Sequence, residues 1–152
     1  MLARIVIFLV INFSALALGS LFTGKGVPSD WYINLNKAPW TPPGWVFGAA
    51  WTIIMICFSV YMAMLWETVD NKKMLILAFG AQFLLNVAWN PVFFLWQNPA
   101  LGLLVIALLT VLVWFFFFKF YQNIHGYSYL ILPYGIWLII ATSLNGYILL
   151  MN

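Results

Sequence analysis

The sequence predicts an all-α integral membrane protein, a five-transmembrane-helix bundle with a structured Trp/Pro-rich loop between helices 1 and 2. Three observations carry that prediction. The 152-residue chain is 66% hydrophobic and 6% charged, where a soluble globular domain carries about 25% charged residues. Its apolar residues fall into five long runs. One of the breaks between those runs, Trp31 to Trp51, is itself crowded with rings and prolines.

A helix crossing a hydrocarbon core of about 30 Å needs about 20 predominantly apolar residues. Segments at approximately 5–22, 44–66, 74–96, 100–118 and 127–150 meet that requirement within a single domain, 1–152. The first follows Arg4 and could be read as a signal peptide. No small-residue cleavage site closes the run, and Asn12 and Ser14 lie inside it, so it is assigned as a span. Thr41, Pro42 and Pro43 suit the start of the second span, and Asn98 followed by Pro99 suits the N-cap and first turn of the fourth. In the third, Pro91 lacks a backbone donor and crowds the carbonyl of Val87, which predicts a kink. The fifth begins just after His125 and Gly126.

The loop between the first two spans holds Trp31, Tyr32, Trp40 and Trp45, with Phe47 and Trp51 following, interleaved with Pro39, Pro42 and Pro43. A connection between spans needs only polar, flexible residues. Bulky rings and prolines instead predict a stiff, folded lid, with the function beneath it.

Basic residues orient the bundle, because cytoplasmic flanks retain Lys and Arg. Arg4, Lys72, Lys73 and Lys119 fall on the N-terminal side, and Lys25 and Lys37 in the long loop on the other. The bias places the N-terminus inside and the lid and C-terminus outside. A net charge of +3 is ordinary for such a topology and implies no nucleic-acid partner.

Ionisable chemistry is nearly absent from the spans. Asp30, Glu67 and Asp70 all lie outside the span interiors, which weakens the case for an ion-coupled carrier. Cys57 and His125 are single residues of their kinds, so no Cys/His metal cluster is expected. Cys57 reads as inert packing inside the second span and His125 as a solvated turn residue.

The spans do contain amides and aromatics at helical spacing. Gln82, Asn86, Trp89, Asn90 and Phe93 line one face of the third helix, a face that cannot comfortably meet lipid. In the fifth span Tyr134, Trp137, Ala141 and Asn145 repeat the pattern. The small Ala141 one turn from the Trp137 ring predicts a slot suited to a flat ligand. Plain helix-to-helix bonding by the amides and small-residue packing at Ala141 are the alternatives. Ala78, Gly80 and Ala81 give the third span a small-residue patch compatible with close helix approach.

At this point the residues resemble a known family. Trp31, Tyr32, Leu35, Asn36, Lys37, Trp40, Pro42, Pro43, Trp45, Val46, Phe47 and Trp51 look like the signature loop and second-helix start of the TspO/MBR family, the tryptophan-rich sensory proteins and mitochondrial translocator protein. The third-span run Gln82, Leu85, Asn86, Trp89, Pro91, Phe93, Phe94 and the fifth-span run Pro133, Tyr134, Trp137, Ala141, Leu144, Asn145 are similar to its pattern in the same order. Two departures stand out. Lys37, Ala38, Pro39, Trp40 displaces by one the proline of the family's Lys-Pro-x-Trp, and Tyr147 is followed by no basic residue, so the sterol motif of mitochondrial members is incomplete.

The resemblance implies a homodimeric bundle with a ligand cavity under the first loop, binding protoporphyrin IX and other porphyrins, isoquinoline-type compounds and related apolar small molecules. The expected role is a membrane receptor or sensor in tetrapyrrole regulation or stress response, with no obligatory cofactor. Trp51, Trp89, Phe93 and Trp137 would supply aromatic walls, and Tyr32, Asn86 and Asn90 hydrogen bonds. Pro42 and Ala141 complete the candidate ligand-binding set, and Lys37 could meet a propionate at the mouth. Two other outputs stay open: light- and oxygen-dependent porphyrin degradation with Trp51 and Trp137 as the catalytic rings, and passive transport of lipophiles. The incomplete sterol motif points to a bacterial cell membrane.

Overall fold

The computed structural model describes Met1–Asn152 and contains helices and turns without a strand. The long elements are α1 (Leu2–Gly26), α3 (Gly44–Thr68), α4 (Lys72–Asn90), α5 (Pro99–Ile124) and α6 (Leu132–Met151), with a four-residue helix α2 (Asp30–Ile33) in the first loop. Four continuous helical stretches are long and apolar enough to cross a membrane, the last running 53 residues from Pro99 to Met151. Unbroken, that stretch would reach about 80 Å at about 1.5 Å per residue, more than twice the hydrocarbon core. It is instead a hairpin. A 3₁₀ segment, His125–Ile131, reverses the chain, and α6 runs back along α5. Asn145 meets Gly102, Thr142 lies 3.1 Å from Thr110 between their hydroxyl oxygens, and Gly135 meets Trp114.

The helix ends follow local chemistry. Asn98 caps α5 by accepting the Leu101 N–H at 2.9 Å, with Pro99 in the first turn, as its sequence position predicts. Asn71 caps α4 in the same way through Met74. Thr41 differs from expectation: its hydroxyl donates to the Ala38 carbonyl at 2.7 Å, and α3 opens after Pro43 without a side-chain cap. The expected boundaries also move. α1 and α5 extend beyond 5–22 and 100–118, and residues Tyr127–Ile131 belong to the 3₁₀ turn rather than to the last α-helix.

At Pro91 the predicted kink takes a particular form. The α-helix ends at Asn90 and Pro91–Leu95 widens into a π-turn. The Trp96 N–H donates to the Pro91 carbonyl at 2.9 Å, and the Asn98 N–H reaches the Val92 carbonyl at 3.3 Å. Proline removes the donor that a regular turn would use, and the wider turn re-pairs the carbonyls beyond it.

The core fills the half of the bundle away from the first loop. Phe58, Tyr61, Phe116, Met55 and Met62 have no solvent exposure, and the Tyr61 hydroxyl donates to the Phe116 carbonyl at 2.8 Å. α1 joins this core through Asn12, whose amide donates to Ser59 at 2.8 Å. At that end Glu67 pairs with Arg4 and, at 3.6 Å, with the N-terminal amine. At the other end Asn36 and Asn152 embrace: the Asn36 N–H donates to Asn152 Oδ1 at 2.9 Å, and Asn152 Nδ2 donates to the Asn36 carbonyl at 3.3 Å. The two termini therefore lie at opposite ends of the bundle. Its outer face is apolar, with Val10, Leu84, Val111 and Phe118 all more than half exposed, as lipid contact requires.

Candidate functional site

The first loop brings its rings down onto the π-turn. Ser29 Oγ accepts the Tyr32 N–H at 3.3 Å and caps α2, which holds Trp31 and Tyr32 over Phe93 and Phe94. Trp31 meets Phe93 at 5.4 Å between centroids, and Tyr32 meets Phe94 at 5.5 Å. Below them Phe93 stacks on Trp89 at 5.0 Å and 14°. That spacing follows from the sequence, because residues four apart on a helix are neighbours. Burial raises the Tyr32 phenol above its ordinary pKa of 10.0, so the ring stays neutral.

Polar groups fix the stacked pair from behind. Trp89 Nε1 donates to Asn145 Oδ1 at 3.1 Å, and Asn145 Nδ2 donates to the Pro99 carbonyl at 2.7 Å. Gly102 makes room for this chain: a Cβ there would lie 2.9 Å from Asn145 Oδ1 and 3.2 Å from the Phe93 ring. Trp89 thus has one orientation, set by α5 and α6.

Not every predicted residue faces these rings. Asn90, a candidate ligand partner, packs instead against α1, where Oδ1 accepts the Thr23 hydroxyl at 2.8 Å and Nδ2 donates to the Asn86 carbonyl at 3.2 Å. Gly19 permits this, since a Cβ at that position would lie 2.6 Å from the Asn90 amide. Asn86 is buried beside it. Gln82 is buried and donates to the Tyr134 hydroxyl at 2.8 Å. The amide face is therefore shared between α1 and α6. Lys37 bends back over its own loop, 4.6 Å from the Tyr32 ring centroid and 3.2 Å from the Ile33 carbonyl.

Trp51 and Trp137 form a second group between α3 and α6. Trp51 meets Tyr134 edge-on at 5.8 Å, and Trp137 meets Phe47 edge-on at 5.3 Å. Beside Trp137 is a cavity of about 210 Å³ lined by Ala50, Ile54, Pro133 and Ile140. Its small residue is Ala50, not the predicted Ala141, which is half-buried against the main core. Pro42 is half-buried in the approach to α3. The structure thus brings Tyr32, Trp89 and Phe93 together and sets Trp51 and Trp137 apart, with Trp89 packing against the clusters on both sides. Trp31, Phe94, Thr23 and Gly102 also shape this site, beyond the residues the sequence singles out. The first two stood in the resemblance runs, whereas Thr23 and Gly102 carry no signal until the helices are docked.

Comparison with known proteins agrees with this architecture. The TspO/MBR family profile matches residues 6–151. The "Tryptophan-rich protein TspO" of Archaeoglobus fulgidus is 35% identical across 100% of this chain and 96% of its own length. The "Tryptophan-rich sensory protein" of Cereibacter sphaeroides is 36% identical over 78% of this chain and 74% of its own, and the human "Translocator protein" is 30% identical over 84% and 77%. With its membrane-spanning helices and tryptophan-rich loop, the chain belongs to the TspO/MBR family.

Proposed function

We propose that this protein is a receptor- or sensor-like membrane protein that binds porphyrins such as protoporphyrin IX, and related flat apolar ligands, against the aromatic rings beneath its first loop, with a role in tetrapyrrole regulation or stress response. The observation that carries the reading is the Trp89–Phe93 pair, parallel to within 14° and crossed from above by Trp31 and Tyr32. A flat, apolar ligand needs ring faces held in a fixed orientation, and the Asn145 bond supplies that for Trp89. The rings pack on one another here, so a ligand enters by parting them, with the loop acting as a lid. The Asn36–Asn152 pair, the Asn36 amide's bond to the Met151 carbonyl at 3.0 Å, and Trp40's bond to Ser143 at 3.1 Å are among the contacts that must open. Each such bond is worth about 1 kcal/mol net, a modest barrier. Lys37 on the lid then reaches the acidic edge of the ligand.

A homodimer fits the outward face of α4, where a Cβ on Gly80 would meet nothing within 4 Å and a second helix can approach closely. An N-terminus inside fits the distribution of basic residues, and the incomplete sterol motif after Tyr147 favours a bacterial cell membrane.

One contact favours a second reading, light- and oxygen-dependent porphyrin degradation. Trp51 lies edge-on to the Tyr134 phenol, a placement suited to a redox-active ring, while excited porphyrin and oxygen would do the chemistry. Titration of the protein in nanodiscs with protoporphyrin IX in the dark, followed by its absorbance shift, tests binding. Saturable binding at micromolar concentration or tighter is expected, and unsaturable uptake equal to that of empty nanodiscs would remove the reading. A defined product on illumination, lost in a Trp51→Phe/Trp137→Phe variant that still binds, would favour degradation.

A further inference from the structure

We infer a second binding site, for an anionic phospholipid, on the outer face of the bundle where the end of α1 meets the π-turn. A cavity of about 320 Å³ lies there, lined by Leu21, Phe22, Lys25, Ser29, Phe94 and Leu95. Its size falls within the range of about 300–1,000 Å³ usual for ligand sites. Leu21 and Leu95 are each 63% exposed, so the cavity opens onto lipid rather than onto the Trp89–Phe93 pair. Its depth follows from helix length. The 25 residues of α1 span about 37 Å against a core of about 30 Å, which leaves Lys25, in the last turn, at headgroup level.

The lining divides by chemistry. Leu21, Phe22, Phe94 and Leu95 make apolar walls, and Lys25 offers an exposed ammonium without an ion-pair partner. The ion pairs of the chain gather at the opposite end, around Glu67. A lipid with its phosphate at Lys25 and an acyl chain along Phe94 and Leu95 matches both parts.

Two neighbouring groups oppose an anion, and both are weakened. Two of the last four carbonyls of α1 are occupied: Thr23 accepts the Val27 N–H at 2.9 Å, and Gly26 accepts the Ser29 N–H at 3.1 Å and its hydroxyl at 2.6 Å. Asp30 is exposed at the start of α2 and does not line the cavity. Because Ser29 is already engaged with Gly26 and Tyr32, Lys25 is the group that reads the headgroup. Phe94 forms the floor because Gly26 has no side chain; a Cβ there would lie 2.2 Å from the ring. The site stands independently of porphyrin binding.

Native mass spectrometry of delipidated protein, incubated with phosphatidylglycerol or phosphatidylcholine, tests it. Phosphatidylglycerol should be retained over phosphatidylcholine. Lys25→Gln should reduce that retention about fivefold, the effect of about one interfacial cation. Leu21→Trp, which fills the cavity without changing charge, should also reduce it, and Lys73→Gln at the opposite end should leave it unchanged. Equal retention of the two lipids, equal losses in Lys25→Gln and Lys73→Gln, or full retention in Leu21→Trp would each overturn the site.

Discussion

Two aromatic regions occupy the two halves of this bundle, and their rings are held in different ways. Away from the loop, Phe58, Tyr61 and Phe116 are sealed without exposure, among methionines and leucines that are themselves fully buried. On the loop side, Trp31, Tyr32 and Trp89 stay half-buried, and their cover is a loop held by a few hydrogen bonds. Aromatic content alone therefore does not mark a site. On the proposed reading, a site is marked by a ring face fixed from behind, as Trp89 is by Asn145, and covered by a loop.

The largest effect belongs to the sealed half. Phe58→Ala should cost about 4 kcal/mol of stability, read by thermal unfolding in detergent, because the cavity it leaves has no water to fill it. Porphyrin affinity of the protein that remains folded should not change. If affinity falls in step with stability, the two halves are not separate.

Next is Gly102, which sits behind the loop-side rings, against Asn145 and Phe93. Gly102→Ala puts a Cβ 2.9 Å from Asn145 Oδ1 and should cost about 1–3 kcal/mol through overpacking. Because Trp89 loses its anchor, porphyrin binding should weaken as well. A variant that loses stability but binds normally would show that the Trp89 orientation is immaterial.

Trp89→Leu should lower porphyrin affinity about tenfold, or about 1.4 kcal/mol, in the same titration, with less loss of stability than Phe58→Ala. Asn152→Ala removes both of its bonds to Asn36 and should speed ligand association a few fold, since each bond is worth about 1 kcal/mol. Stopped-flow quenching would read this.

These contacts differ in how far the sequence reveals them. Asn98–Pro99 is a local signal and folds as its residues predict, because a cap depends on three or four neighbours. The helical spacing of Gln82, Asn86, Trp89 and Phe93 likewise announces a buried face. Which helix that face meets is a matter of register between distant segments. Asn90 accordingly binds Thr23 on α1 rather than facing the rings, and Ala50 rather than Ala141 lines the space beside Trp137. In the sequence Asn12 marks the first run only as a span rather than a signal peptide, and docking of the helices gives it Ser59 as a partner. Pro91 predicted a distortion, while its π form depends on the carbonyl pairings of the next turn.

The smallest effect is on pH. Burial favours the neutral Tyr32 phenol, so its folded pKa lies above the unfolded value of 10.0. Its contribution is fully present below about pH 10 and is lost as pH rises through the higher folded value. Loop order, read by tryptophan fluorescence, should be flat through neutral and mildly alkaline pH, and Tyr32→Phe should lack the alkaline loss.

Ligand seated against the loop-side rings should leave the sealed half untouched. Hydrogen exchange of the nanodisc-embedded protein with and without protoporphyrin IX reads both halves at once. Exchange should slow in residues 30–41 and in the π-turn and the residues after it, 91–98, with no change in the segments around Phe58 and Phe116. Slowing confined to those sealed segments, or none anywhere under saturating ligand, would contradict that seating.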